Sequence, residues 1–186
     1  FPEYDAGQRD VIAQSTRVSN PGCYAITSVA LLYPLIKAGL LPADWPVAIN
    51  AVSGYSGGGK GLIAAFEDKD LADYTGSAFY VYGLKLKHKH VPEITKWSGL
   101  NHAPIFVPSV GRYQQGMIVQ VPLPLWSMPG HPSPADLTTA LADHYAGAQF
   151  VSVEALANTG QIAKLDPQDL NGTNDLRLHV FADEAM

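Results

Sequence analysis

The 186-residue chain contains one cysteine, Cys23, in the stretch Asn20-Pro21-Gly22-Cys23-Tyr24. Pro21-Gly22 is a turn signal, and the apolar run behind it predicts a helix beginning at or just after the cysteine. A thiol there meets the partial positive charge and free N–H groups of a helix N-terminus, which favour thiolate, the attacking form. The same N–H groups can hold the oxyanion of a tetrahedral intermediate. The predicted chemistry is nucleophilic attack on an activated acyl group. The structural alternative is an inert buried thiol, the commonest fate of a lone cysteine.

His88 and His90 are the next candidates. Over 79–90, Tyr80, Tyr82, Leu84, Leu86, His88 and His90 share one face of a predicted strand, with Phe79, Val81, Gly83, Lys85, Lys87 and Lys89 on the other. Either imidazole could serve a thiol as general base, with Glu93 the nearest group to orient it. The spacing could also hold a metal, although the only thiol is distant in sequence and no third ligand accompanies the pair. Ordinary hydrogen-bonded histidines at the core's edge are the remaining reading.

Gly54-Tyr55-Ser56-Gly57-Gly58-Gly59-Lys60 imitates a nucleotide-binding P-loop, yet Gly61 stands where a Mg²⁺-binding Ser or Thr is needed. With no downstream Walker B carboxylate, nucleotide hydrolysis is excluded. Consecutive glycine N–H groups beside Ser53, Ser56 and Lys60 instead predict a cradle for a substrate phosphate or carboxylate. A plain strand-to-helix turn is the alternative.

These residues need elements to hold them. The sequence predicts a loop or short helix over 1–16, a buried helix over 24–38 capped by Gly39 and kinked at Pro34, and a strand over 47–53. A helix runs from the glycine-rich loop to about Asp68, and another starts at Pro92 with Glu93 in its first turn. Further strands are expected over 105–108, 116–123, 149–153 and 176–181, and a helix over 134–145. The proline-rich stretch 123–134 reads as an ordered but irregular excursion. Strands outnumber helices in this reading and do not alternate regularly with them. The fold class is α+β, with a mixed, mostly antiparallel sheet covered by helices.

Bulk composition narrows the partners. Hydrophobic residues make up 47% and charged residues 16% of the chain, enough to bury a core in a single domain. A formal charge of -5 without a basic stripe argues against nucleic acid or an anionic membrane. No apolar run approaches the roughly 20 residues that span a bilayer. A single cysteine predicts a reducing, cytoplasmic setting. The chain opens on Phe1 without an initiator Met or a signal segment, and reads as a piece of a longer protein.

Asn20-Pro21-Gly22-Cys23-Tyr24 resembles the nucleophile segment of the N-acetyl-gamma-glutamyl-phosphate reductase family, enzymes of arginine biosynthesis. Ser53-Gly54-Tyr55-Ser56-Gly57-Gly58-Gly59-Lys60 is similar to the second signature of its shorter bacterial members, and His88-Lys89-His90-Val91-Pro92-Glu93-Ile94 to the third. Val110-Gly111-Arg112-Tyr113-Gln114-Gln115-Gly116-Met117 and Asn171-Gly172-Thr173-Asn174 follow in the expected order. The related aspartate-semialdehyde dehydrogenases fit these strings less well.

The resemblance implies that Cys23 attacks an acyl phosphate to form a thioester, that His90 acts as general acid/base, and that NADPH delivers hydride. It implies substrate contacts from Asn20, Ser53, Ser56, Lys60, Tyr82, His88 and Glu93. It also implies the C-terminal catalytic fold of the glyceraldehyde-3-phosphate and aspartate-semialdehyde dehydrogenase superfamily, and a homo-oligomer pairing through its sheet. No Gly-x-Gly-x-x-Gly opens a strand–helix unit, so residues 1–186 are expected to be one catalytic and dimerisation domain without the NADP-binding Rossmann domain. No cofactor and no metal are expected on this chain alone, and no reductase turnover. A cofactor-independent cysteine hydrolase or acyltransferase using Cys23 and His90 is the competing enzyme class. A non-catalytic dimerisation module is the third reading.

Overall fold

The computed structural model describes residues 1–183, and the terminal Met186 lies outside them. After a short helix α1 (Gln8–Gln14), the chain enters α2 (Cys23–Lys37), whose inward side is built from Tyr24, Ala25, Val29, Leu32 and Leu35. Pro34 sits inside the last turn of α2 and cannot donate to the carbonyl of Ala30, four residues back. The buried Tyr145 hydroxyl donates to that oxygen at 2.9 Å. The freed acceptor is thus satisfied in the core, and α2 continues to Lys37.

β1 (Ala48–Gly54) leads through a 3₁₀ turn into α3 (Gly59–Glu67); β2 (Phe79–Val81), α4 (Val91–Ser98), β3 (Ile105–Gly111) and β4 (Met117–Gln120) follow. These strands form one mixed sheet in the order β2-β3-β1-β4, with β1 and β3 parallel and the two outer pairings antiparallel. The parallel pair is joined by a long helical crossover, as such pairs require. One face carries Ile49, Ala51, Phe106 and Val110, all buried, and packs with α2 and with Ile94 of α4. The opposite face presents Phe79, Val81 and Ile105, which remain 56%, 41% and 55% exposed. Val52 and Val107 share this face by register.

The remaining chain adds α5 (Pro134–His144), β5 (Val151–Val153), a single turn α6 (Leu156–Thr159) and β6 (Leu176–Leu178). β5 and β6 form a separate two-stranded parallel sheet. At the start of α5, Ser133 and Asp136 form a reciprocal capping box, with Pro134 in the first turn. The proline-rich 123–134 stretch is irregular as expected, with one 3₁₀ turn at Leu125–Ser127 and Met128 buried in the core.

Two expectations are corrected. Among the described residues there are six strands and six α-helices, so strands do not outnumber helices. The short helix α1, which falls within the stretch read as a loop or short helix, and the single turn α6, too short for an apolar stripe to signal it, supply the difference. The predicted strand over 79–90 stops at Val81. Gly83 and Leu86 both take positive φ (66° and 56°), and Leu86 N–H bonds back to the Gly83 carbonyl at 2.8 Å. A tight turn therefore replaces the alternation, leaving Leu84 and Leu86 exposed at 78% and 51%. The lysines alternate with apolar residues here without any pleat to sort them.

Candidate active site

Cys23 is the first residue of α2 and is exposed. Its N-cap, Gly22, has no side chain to satisfy the first-turn N–H groups, which stay available to a bound oxyanion. Cys23 opens onto a cleft of about 880 Å³, whose wall also includes Ser53, Ser56 and Gly57. From there the cleft runs along β4 and past Leu176 and Phe181.

The imidazoles approach from the other flank of the turn. A Cβ built on Gly22 would lie 2.3 Å from Nε2 of His90, so the ring edge rests directly against the backbone that carries Cys23. Only glycine leaves that space open. The Gly22 N–H donates to both carboxylate oxygens of Glu93, at 3.1 and 3.2 Å. Glu93 therefore fastens the Cys23 turn to the first turn of α4, and the His90 backbone carbonyl accepts the Ile94 N–H at the start of the same helix. One short segment, 88–93, supplies both constraints.

His88 and His90 are brought together by the turn after β2, not by strand alternation. Their rings lie 4.7 Å apart, edge to face, and His88 also packs against Tyr24, Tyr82 and Phe106. Nδ1 of His88 accepts the backbone N–H of His90 at 3.2 Å. That bond uses the lone pair of a neutral His88 and leaves its proton on Nε2. His90 is 8% exposed, and its Nδ1 has no hydrogen-bond partner among the described residues. Burial lowers the pKa of both histidines; Lys89 adds to this, whereas the Glu93 carboxylate opposes it at His90. Both rings are thus held towards the neutral form at pH 7.

The glycine-rich loop is strapped from behind. Gly54, Tyr55 and Ser56 donate their N–H groups to the carbonyls of Gly116, Tyr113 and Gln114. That turn is held in its own right: Met117 N–H donates to the Pro167 carbonyl, and the Asn171 side chain to the Gln115 carbonyl. Arg112 secures the loop after α3, donating to the carbonyls of Phe66, Thr75 and Ser77 and stacking on the Phe66 ring.

Of the predicted site residues, Cys23, Ser53 and Ser56 share the cleft, and His88, His90, Tyr82 and Glu93 gather behind the Cys23 turn. Lys60 is exposed and does not line the cleft. Asn20 lines a different cavity of about 310 Å³, with Pro21, Trp97 and Glu93. Among the described residues no three His, Cys, Asp or Glu side chains gather as a metal would need. Sequence reasoning passed over Tyr24, whose buried hydroxyl reaches Ser53 Oγ at 2.8 Å. The available signal was a phenol at the start of an apolar helix, since a buried tyrosine seeks a polar partner.

The α+β domain thus brings together a thiol at a helix start, an imidazole packed against the preceding glycine and a glycine-rich loop at the cleft. The chain belongs to the semialdehyde dehydrogenase dimerisation-domain family, whose model matches residues 23–186. It is similar to the N-acetyl-gamma-glutamyl-phosphate reductases of Brucella ovis, Brucella anthropi and Brucella suis, each 50% identical over 184 residues. The match covers 99% of this chain and 59% of each relative, so the chain spans about three fifths of their length.

Proposed function

We propose that this chain is the catalytic and dimerisation domain of an N-acetyl-gamma-glutamyl-phosphate reductase acting in cytoplasmic arginine biosynthesis. The observation that carries the reading is that Cys23, exposed to a cleft at a helix start, directly follows Gly22, against which the buried His90 imidazole is packed. The Cys23 thiolate attacks the acyl carbon, the bond from that carbon to the phosphate oxygen breaks, and phosphate leaves a thioester on Sγ. First-turn N–H groups of α2 stabilise the oxyanion between these events.

His90, neutral through burial, accepts the thiol proton and returns it to Sγ when the aldehyde departs. His88 and Tyr82 hold the His90 side of the site through their packed rings, and Glu93 holds the turn. Ser53, Ser56 and the Gly57 backbone take the phosphate. Asn20 and Lys60 lie off the cleft wall and have no part in this assignment.

No Gly-x-Gly-x-x-Gly occurs in the sequence, and the glycine-rich loop spends the N–H groups of Gly54, Tyr55 and Ser56 on the carbonyls of Gly116, Tyr113 and Gln114, not on a pyrophosphate. NADPH, held by a separate Rossmann domain of the same enzyme, would supply the hydride that turns thioester into aldehyde. The apolar sheet face bearing Phe79, Val81 and Ile105 pairs with a second copy, in keeping with the description of the family as a dimerisation domain.

The test is reductase turnover of the complete enzyme with N-acetyl-gamma-glutamyl phosphate. Cys23→Ser should lower kcat by about a thousandfold or more, as loss of a covalent nucleophile does. Retention of more than about a tenth of wild-type kcat would contradict the reading, since no covalent step could then run through position 23.

A further inference from the structure

Tyr24 is 2% exposed, and its hydroxyl stands 2.8 Å from Ser53 Oγ and 3.2 Å from the Ser109 carbonyl oxygen. A phenol has one proton for these two acceptors, and the carbonyl can only accept. Two arrangements satisfy the pair. In one, Tyr24 donates to Ser53, and the Ser53 proton is free to point into the cleft beside Cys23. In the other, Tyr24 donates to Ser109, Ser53 donates to Tyr24, and Ser53 turns lone pairs towards the cleft.

An anionic oxygen in the cleft selects the first arrangement, because only a donor meets it favourably. We propose that Tyr24 is a positioning residue for Ser53, directing the Ser53 proton onto an anionic oxygen of the substrate next to Cys23. This rests on the reading of Cys23 as the nucleophile towards an acyl phosphate.

Three features support the assignment. Ser53 lies on the side of β1 that faces α2 and also lines the cleft with Cys23, so it is the link between the buried phenol and the substrate space. The Tyr24 ring is fixed by edge-to-face packing on Phe106, centroids 5.2 Å apart, and is flanked by His88 and His90. The Tyr82 hydroxyl stands 3.5 Å from that of Tyr24 and extends the chain of hydroxyls. A donor bond received by Ser53 Oγ polarises its own O–H and strengthens the bond it gives.

The proposal is tested in the complete reductase by a double-mutant cycle on Tyr24→Phe and Ser53→Ala. Two quantities are read: kcat/KM for the acyl phosphate, and protection of Cys23 from iodoacetamide by inorganic phosphate. Each single variant should lower kcat/KM about tenfold, equivalent to about 1.4 kcal/mol, and weaken phosphate protection. The double variant should lose no more than Ser53→Ala alone.

A purely structural Tyr24 would give additive losses, about a hundredfold in the double variant, and that result overturns the proposal while leaving the proposed function intact. A wild-type enzyme with neither turnover nor phosphate protection overturns both. If Tyr24→Phe fails to fold, 3-fluorotyrosine at position 24 keeps the ring's shape and donates more strongly. It should tighten phosphate protection in the Ser53 enzyme and leave Ser53→Ala unchanged; equal tightening in both backgrounds, or none in either, contradicts the role assigned to Tyr24.

Discussion

The His90 ring edge leaves no space for a side chain at position 22, and the Glu93 carboxylate occupies the Gly22 N–H. Gly22→Ala must therefore displace either the imidazole or the backbone that leads into Cys23. A misplacement of about 1 Å in such a site costs roughly a hundredfold in rate, so kcat/KM should fall by at least that much. A smaller loss would mean that the two groups do not act together. Burial holds His90 below the ordinary histidine pKa of about 6.5. The acid limb of kcat/KM should accordingly lie below pH 6.5, where the base becomes protonated. Glu93→Gln removes a charge that raises the His90 pKa and should move this limb to still lower pH. An unmoved or raised limb would show that His90 is not the titrating base. Linkage to stability has the same sign. His88, His90 and His179 all have lowered folded-state values, so the unfolded chain binds more protons below about pH 6.5. Folding stability should fall as pH drops through that region and be fully present above it.

Among the elements, α2 does the most positioning, and its continuity past Pro34 depends on Tyr145. Tyr145→Phe leaves the Ala30 carbonyl buried without a partner and should cost about 1–3 kcal/mol, read as a lower urea midpoint at unchanged m. Loss of the capping box through Ser133→Ala should cost about 1 kcal/mol by the same measurement. α2, β1 and α3 were legible in the sequence because each has an unambiguous apolar pattern bounded by Gly or Pro. The segment 79–90 was not. Its alternation is real in residue type, but Gly83 and Leu86 turn the chain before the pattern can be used. His88 and His90 were found all the same, because their proximity to Pro92 and Glu93 survives the change from strand to turn. The hydroxyl chain of Tyr24, Ser53 and Tyr82 was hidden for a different reason. It joins three elements far apart in sequence, and nothing local marks which buried tyrosine will meet which serine.

At the scale of the whole molecule, α2 packs on one side of the sheet and an apolar surface opens on the other. Phe79, Val81 and Ile105 remain open on that second face. Val81→Glu together with Ile105→Glu should shift the sedimentation coefficient from dimer to monomer without altering the cleft wall, which neither residue lines. An unchanged sedimentation coefficient would place the subunit contact elsewhere. The proposed covalent step at Cys23 can be tested without any dinucleotide. The complete enzyme is mixed with N-acetyl-gamma-glutamyl phosphate in the absence of NADPH, quenched in acid and digested. Phosphate should appear in a burst stoichiometric with chains, and the acyl group should be found by mass spectrometry on the peptide carrying Cys23, removable by hydroxylamine. Phosphate release with the acyl group on another residue, or with no acyl adduct at all, would contradict the assignment of Cys23 as the nucleophile.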